Sequence, residues 1–270
     1  MGFRCKKFLK SISAFILISV FFIDQNARAD FEANIIGGTD ITIEQAPFQA
    51  GLTYSKDGSF VSVFCGASVL NHQWVLTAAH CLPRSLNRDI YVFLGSADLR
   101  APDQLIAVAE IVIHEQSFWH DIALIKLASP IKFSDKISPV RIPENRDDHT
   151  GRSVLVSGWG VTSLNGDHRY PDILQRAEVE IISDEEASAA YGGSYVGKIM
   201  IAAGVKNGGI DSCYGDSGGP LGYRENGEFI QLGIVSWGRE CALPGYPGVY
   251  VRVSYYSDWI KQVINDGVEQ

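Results

Sequence analysis

Three short stretches carry residue types that can do covalent chemistry. They are Thr77-Ala78-Ala79-His80-Cys81, Asp121-Ile122-Ala123-Leu124 at the head of an apolar run, and Gly215-Asp216-Ser217-Gly218-Gly219-Pro220. A serine hydroxyl is a weak nucleophile near neutral pH, so it needs a neutral imidazole to take its proton during attack and return it to the leaving group. Each stretch also has an ordinary reading. A histidine after an apolar strand is commonly a plain surface or core residue, an Asp before a strand is a turn residue, and a Gly-rich run is a tight turn. Taken singly, none decides.

Short apolar runs broken by Gly, Pro, Asn and Asp must position these residues. They include Ser68 to Thr77, Ile90 to Leu94, Leu105 to Ile113, Ile122 to Leu127, Ser153 to Val156, Glu178 to Ile182, Ile230 to Val235 and Gly248 to Val253. That spacing predicts an all-β barrel or sandwich. Only the end reads as a helix, where Trp259, Ile260, Val263 and Ile264 recur on one face after the cap candidates Ser257 and Asp258. The polar segment Glu144 to Gly151, with Arg146, Asp147, Asp148 and His149, is the candidate linker between two halves.

The chain has 270 residues, with Lys and Arg totalling 23 against 31 Asp and Glu and a net charge of −8, a balance that disfavours nucleic acid as a partner. Arg4, Lys6, Lys7 and Lys10 precede the apolar stretch Ile12 to Ile23, and Ala27-Arg28-Ala29 supplies small residues at the cleavage positions. This predicts a signal peptide over 1–29 and a secreted, extracellular protein; the apolar run is short for a membrane anchor. Its removal takes five cations (Arg4, Lys6, Lys7, Lys10, Arg28) and one anion (Asp24), leaving 18 against 30. Cys5 goes with it, and Cys65, Cys81, Cys213 and Cys241 remain. An even number in an oxidising compartment predicts two disulfides with three possible pairings, and the lack of a CxxC pair argues against zinc.

In order and context the three stretches resemble the trypsin-like (chymotrypsin-fold) secreted serine proteases, from Ile35 to about Ile264. Ile35-Ile36-Gly37-Gly38, Ser157-Gly158-Trp159-Gly160, Ser236-Trp237-Gly238 and Pro247-Gly248-Val249-Tyr250 extend the match. The resemblance implies two six-stranded antiparallel β-barrels, about 35–145 and about 151–254, with the active site in the cleft between them and a C-terminal helix over about 256–265. It implies a catalytic triad in which Ser217 attacks a peptide carbonyl, His80 is base and then acid, and Asp121 fixes the imidazole tautomer. The backbone amides of Gly215 and Ser217 match the oxyanion donors, and a side chain at 215 could block the backbone's approach.

By the same resemblance Asp211 lies at the bottom of the primary pocket with Ser212 beside it, and Gly238 and Gly248 form walls open to long side chains. Ser236, Trp237, Tyr250 and Tyr191 line or brace the site, and Trp237 with Phe118 lines neighbouring subsites, where apolar residues would be preferred. A buried carboxylate there pairs with substrate Arg or Lys. Ile35 implies a zymogen with the propeptide 30–34: cleavage after Asn34 would free an amino group that pairs with Asp216. Asn34 is neither Arg nor Lys, so the expected activator is another protease of different specificity. Cys65 with Cys81 and Cys213 with Cys241 match two family bridges. Ala187 and Ala202 stand where a third is frequent, a bridge of a kind that contributes about 2–5 kcal/mol.

No cofactor or metal is expected. By the same resemblance Ser96 stands where a first carboxylate ligand for calcium would be expected, and Asp98 with Asp103 makes no site alone. The sequence also lacks an Asn-x-Ser/Thr sequon. Expected partners are protein or peptide substrates, an activating protease and protein inhibitors, with no nucleic acid or membrane and a monomeric state. Two rival readings are an endopeptidase of broader or chymotrypsin-like specificity and a non-catalytic homologue acting as a binding protein.

Overall fold

Alternation of apolar and polar residues sets most strands, because successive side chains of an extended chain point to opposite faces. The computed structural model describes residues 1–2, 35–54, 62–83, 89–114, 119–163 and 170–267. Apart from residues 1–2, the expected signal peptide and the propeptide with Asn34 lie outside the described residues, as does Phe118. Everything below concerns the unit Ala33–Gln270.

After the two-residue strand β1 (Thr39–Asp40) come β2 (Gln49–Thr53), β3 (Val63–Val69), β4 (Trp74–Thr77), β5 (Tyr91–Leu94), β6 (Gln104–Ile113) and β7 (Ala123–Leu127). These six longer strands close into an antiparallel barrel in the order β2-β3-β4-β7-β6-β5. The second barrel is built from β8 (Ser153–Gly158), β9 (Gln175–Ile182), β10 (Met200–Gly204), β11 (Pro220–Glu225), β12 (Glu228–Trp237) and β13 (Gly248–Arg252). Its order is β9-β10-β13-β12-β11-β8, and pairing of β8 with β9 closes it. Along β9 alternate side chains are buried, as the QRAEVEII pattern requires. Among the described residues the α-helices are α1 (Asp184–Tyr191) and α2 (Ser257–Asp266). Among the described residues no helix is long and apolar enough to cross a membrane.

Four features depart from the sequence reading. The run Ser68 to Thr77 is the end of β3, a turn and β4, because Asn71 Oδ1 accepts from the amides of Gln73 (2.8 Å) and Trp74 (2.9 Å) and turns the chain. Second, β1 pairs with β9, so the first residues of the expected first barrel attach to the second. Third, α1 has no apolar periodicity, with Ala187 its single buried residue; its start is set by Ser183, whose hydroxyl accepts from Glu186 N, and by three acids in the first turn. Fourth, Tyr256 holds the N-cap position of α2, and Ser257 donates instead to Ser254 O.

The barrels meet through an apolar cluster containing Phe48, Phe93, Trp159, Leu174 and Phe229. Phe48 stacks on Phe229 at 3.8 Å, and Phe93 meets Trp159 edge-on at 5.5 Å. Two buried polar pairs fix their relative placement: Ser68 Oγ donates to Gln231 Oε1 (2.6 Å) and Ser157 Oγ to Gln49 Oε1 (2.7 Å). The chain ends also cross over. While β1 joins the second barrel, Lys126 Nζ of the first donates to Gly267 O at the end of α2 (2.7 Å).

Both disulfides form, Cys65–Cys81 and Cys213–Cys241. Ala187 and Ala202, where the resemblance expects a third, are fully buried in one core cluster. Nearby, Asp184 Oδ1 accepts from Tyr195 Oη (2.6 Å) and Arg252 Nη2 (2.8 Å), and Arg252 Nε donates to Met200 O (2.9 Å). This charge-assisted network ties α1 to β10 and β13 where a bridge could have done so.

The buried Gln231 also donates to Gly233 O. Gln231→Leu therefore strands Ser68 and a carbonyl, at about 1–3 kcal/mol. Thermal melts should show Tm lower by about 2–10 °C, and adding Ser68→Ala should recover part of the loss.

Candidate active site

The pairing of β4 with β7 brings His80 to Asp121. Thr77 at the end of β4 faces Ala123 at the start of β7. His80 lies in the short 3-10 turn Ala79–Cys81 just past the former, and Asp121 just before the latter, so both leave the barrel at one edge. The Cys65–Cys81 bridge ties that turn to β3. Asp121 Oδ1 accepts from His80 N (2.8 Å), and Oδ2 lies 2.7 Å from His80 Nδ1. From the second barrel, Ser236 Oγ donates to Oδ2 at 2.5 Å.

These contacts set the charges. Burial pushes the Asp121 carboxyl up, but hydrogen bonds from His80 and Ser236 and the His80 charge win and hold it below its ordinary value. At His80 burial lowers, while the bond to Asp121 and its charge raise, and the net direction is up.

Ser217 lies on a turn pinned from both barrels. Its carbonyl accepts from Gly66 N of β3 (2.7 Å), and Gly218 N donates to Val235 O of β12 (2.8 Å). Gly218 has φ +82°, and a Cβ there would stand 2.2 Å from Thr77 Oγ1 and 2.4 Å from Gly66 O, so only glycine lets the turn seat against β3. The disulfide sulfur Cys81 Sγ lies 3.5 Å from the Ser217 carbonyl oxygen and 3.9 Å from His80 Nε2, so the histidine and the serine backbone meet at the same sulfur. Cys65, Cys81 and His80 cluster, but the two sulfurs are bonded to each other and offer a cation no thiolate. Gly215, at φ +97°, lies beside Ser217, with Tyr170 against it.

A cavity of about 260 Å³ opens next to Ser217, lined by Asp211, Ser212, Ser236, Trp237, Gly238 and Gly248 among others. Asp211 is 3% exposed. Its Oδ2 accepts from Ala242 N (3.0 Å), while Oδ1 has no hydrogen-bond partner among the described residues. Burial pushes this carboxyl up to about 7. A Cβ on Gly248 would lie 2.8 Å from Oδ1, so only glycine leaves this buried oxygen uncrowded at the cavity wall. Tyr250 is fully buried and its hydroxyl meets Ser212 Oγ at 3.0 Å. Tyr191 donates to Pro247 O (2.6 Å) and packs edge-on against Trp237 at 4.9 Å. Both tyrosines brace the walls.

A second cavity of about 510 Å³ runs from His80 and Asp121 past Trp237, with Leu82, Ile113, Trp119 and Ile199 in its walls. Trp119, half exposed, lines this cavity without a sequence signal of its own, and Phe118, expected at the neighbouring subsites, lies outside the described residues. The sequence reading misses Tyr214 and Glu240 at the first cavity, although Tyr214 sits between two residues already singled out. The bond from Ser236 to Asp121 left no local sequence signal.

Ile35 is fully buried in the interior of the second barrel. Ile36 O accepts from Asp211 N, so the segment docks beside the first cavity. Asp216, also fully buried, accepts from Gly160 N (2.8 Å) and Cys213 N (2.9 Å) and is pushed up to about 7 by burial. Among the described residues no cationic side chain pairs with it.

Comparison with known proteins gives a consistent result. The family model described as Trypsin matches residues 35–260. The chain is 40% identical over 241 residues to Trypsin-1 of Astacus astacus, covering 84% of this chain and 98% of that one. It is 40% identical over 237 residues to Trypsin II-P29 of Gallus gallus (85% and 89% covered) and 39% identical over 237 residues to Trypsin 5G1 of Aedes aegypti (85% and 84% covered).

A histidine whose proton affinity is raised serves as a base only above that raised value. The rate at which an organophosphonate labels Ser217 should therefore climb with pH through a midpoint above 6.5. Asp121→Asn should cut the rate by about 10⁴-fold and move the midpoint down.

Proposed function

This chain belongs to the trypsin family and is a serine endopeptidase, and on that premise we propose that it hydrolyses peptide bonds after Arg or Lys through a triad of Ser217, His80 and Asp121. The observation that carries the specificity is Asp211 Oδ1, a buried carboxylate oxygen with no hydrogen-bond partner among the described residues, in a side chain that lines the cavity beside Gly248. A guanidinium or ammonium entering that cavity supplies the missing donor and the missing charge. His80 takes the serine proton as Ser217 attacks, and the acyl-enzyme forms as His80 returns that proton to the leaving amine. Asp121 holds the imidazole with Nδ1 protonated and stabilises its cationic form. The amides of Gly215 and Ser217 receive the developing oxyanion, each worth about 3 kcal/mol. The second cavity, with Trp237, Trp119 and Leu82, suits apolar side chains upstream of the cleaved residue.

The protein is read as a secreted zymogen. A new amino group at Ile35 would give Asp216 the cation it lacks, ionise it, and order the turn that carries Gly215 and Ser217. The activating enzyme cuts after Asn34, a bond that an Arg/Lys-specific protease leaves alone. Protein inhibitors that present Arg or Lys to the cavity would be natural partners, and the protein is expected to act as a monomer.

A second reading, broader specificity, is favoured by one observation: an Asp211 that titrates near 7 is partly neutral in the empty enzyme at neutral pH. A panel of matched peptides ending in Arg, Lys, Phe and Leu, given to protein cut before Ile35, separates the two. Arg or Lys turnover should exceed the others by at least about 100-fold and vanish in Ser217→Ala. Comparable Phe or Leu turnover would support the broader reading, and no turnover of any peptide would leave a binding protein. Because Asp211 is protonated below about 7, KM for the Arg peptide should rise as pH falls through that value, and Asp211→Ser should abolish this dependence. Purified precursor should remain uncut at Asn34, and self-maturation that disappears in Ser217→Ala would overturn the requirement for another protease.

A further inference from the structure

Behind Asp121, four aromatic rings from two parts of the chain meet. His114, just past β6, and His120, which directly precedes Asp121, stack with centroids 4.8 Å and planes 12° apart. Tyr256 stands edge-on to both, at 5.4 and 5.6 Å, and its hydroxyl lies 2.8 Å from His120 Nδ1. Trp259 of α2 meets His114 at 5.2 Å. Two backbone bonds tie this stack to the catalytic segment: Ile122 N donates to His120 O (2.9 Å) and His114 N to Ile122 O (3.2 Å). The peptide bearing Asp121 is thus held from both sides by residues of the stack.

We propose that His120 is a positioning residue for Asp121: with the His114–His120 stack neutral, the Tyr256 bond holds the Asp121 carboxylate on His80, and a proton taken up by the stack weakens that hold. The inference rests on the triad reading above. In the neutral pair the Tyr256–His120 bond can run in either direction. A proton on both His120 nitrogens leaves Nδ1 a donor only and forces the phenol to accept. A second proton would also set two imidazolium rings 4.8 Å apart, and a charged pair at this spacing repels.

The groups facing the stack agree with a neutral resting state. From its own segment these are Asp121 and the two histidines, and from the C-terminal side Tyr255, Tyr256 and Trp259. Beyond Tyr255, whose ring is 6.0 Å from His120, Arg146 and Lys198 lie over that ring at 4.6 and 5.6 Å. Burial first, and His114 second, push His120 below its ordinary value, and burial pushes the Tyr256 phenol up, so it stays neutral.

The test is the pH dependence of Ser217 labelling by an organophosphonate, with kcat and KM for an Arg peptide, in protein cut before Ile35 and in two variants. His120→Asn keeps an amide within reach of Tyr256 without a titrating group; it should retain kcat within about threefold near pH 8. On the acid side its log rate should fall with a slope of one, while the unmodified protein falls more steeply than that over the range where the stack titrates below His80. His120→Leu, which removes the bond, should lower kcat about tenfold at unchanged KM. Equal acid slopes in the unmodified protein and His120→Asn, with kcat intact in His120→Leu, would overturn the proposal alone. Absence of labelling at every pH would overturn the triad reading and this inference with it. If His120→Leu fails to fold, the slope comparison with His120→Asn decides.

Discussion

A carboxylate removed from water must be given donors, and the Asp121 side chain receives them from two separate barrels. His80 N and Nδ1 come from the first, Ser236 Oγ from the second. Desolvation alone would neutralise the acid; the convergent donors keep it ionised. Every other alignment in the cleft serves that convergence. The β4 and β7 register delivers His80 and Asp121 to one edge, Ser68 with Gln231 and Ser157 with Gln49 hold the barrels in place, and the Gly66 contact seats Ser217 across the gap. Local flexibility in either barrel would be felt at the imidazole, which bonds the Asp121 carboxylate held between them.

Residue types at a fixed local spacing are legible in the sequence. The serine turn, the histidine turn and Asp121 each sit in a short context whose chemistry can be named, and the strand alternation of β9 is visible without coordinates. The disulfide pairings were open on counting alone, since proximity of Cys65 to Cys81 and of Cys213 to Cys241 is a product of folding. What escaped reading is non-local or weakly patterned. Ser236 reaches Asp121 across 115 positions, α1 buries one alanine, and β1 leaves its sequence neighbours for β9. Each is decided by tertiary packing overriding or lacking a local signal.

The alanines at 187 and 202 illustrate how one constraint can replace another. A disulfide acts chiefly by restricting the unfolded chain. The Asp184, Tyr195 and Arg252 network acts only in the folded state, through charge-assisted bonds at 2.6–2.8 Å. The first is independent of salt; the second weakens as salt screens it. The region around α1 is therefore held by a condition-dependent tie, while the histidine turn and the pocket wall keep covalent ones.

The exchanged chain ends carry a consequence for the order of assembly. The strand that precedes the first barrel belongs to the second, and the helix that follows the second is fastened to the first through Lys126 and Gly267. A ribosome releasing this chain from its N-terminus would have made all six strands of the first barrel well before their C-terminal clasp exists. Completion is thus deferred to the last residues. Once both clasps are shut, neither half can melt without pulling an arm out of the other, which joins two barrels into a single cooperative unit and raises the barrier to escape from the native state.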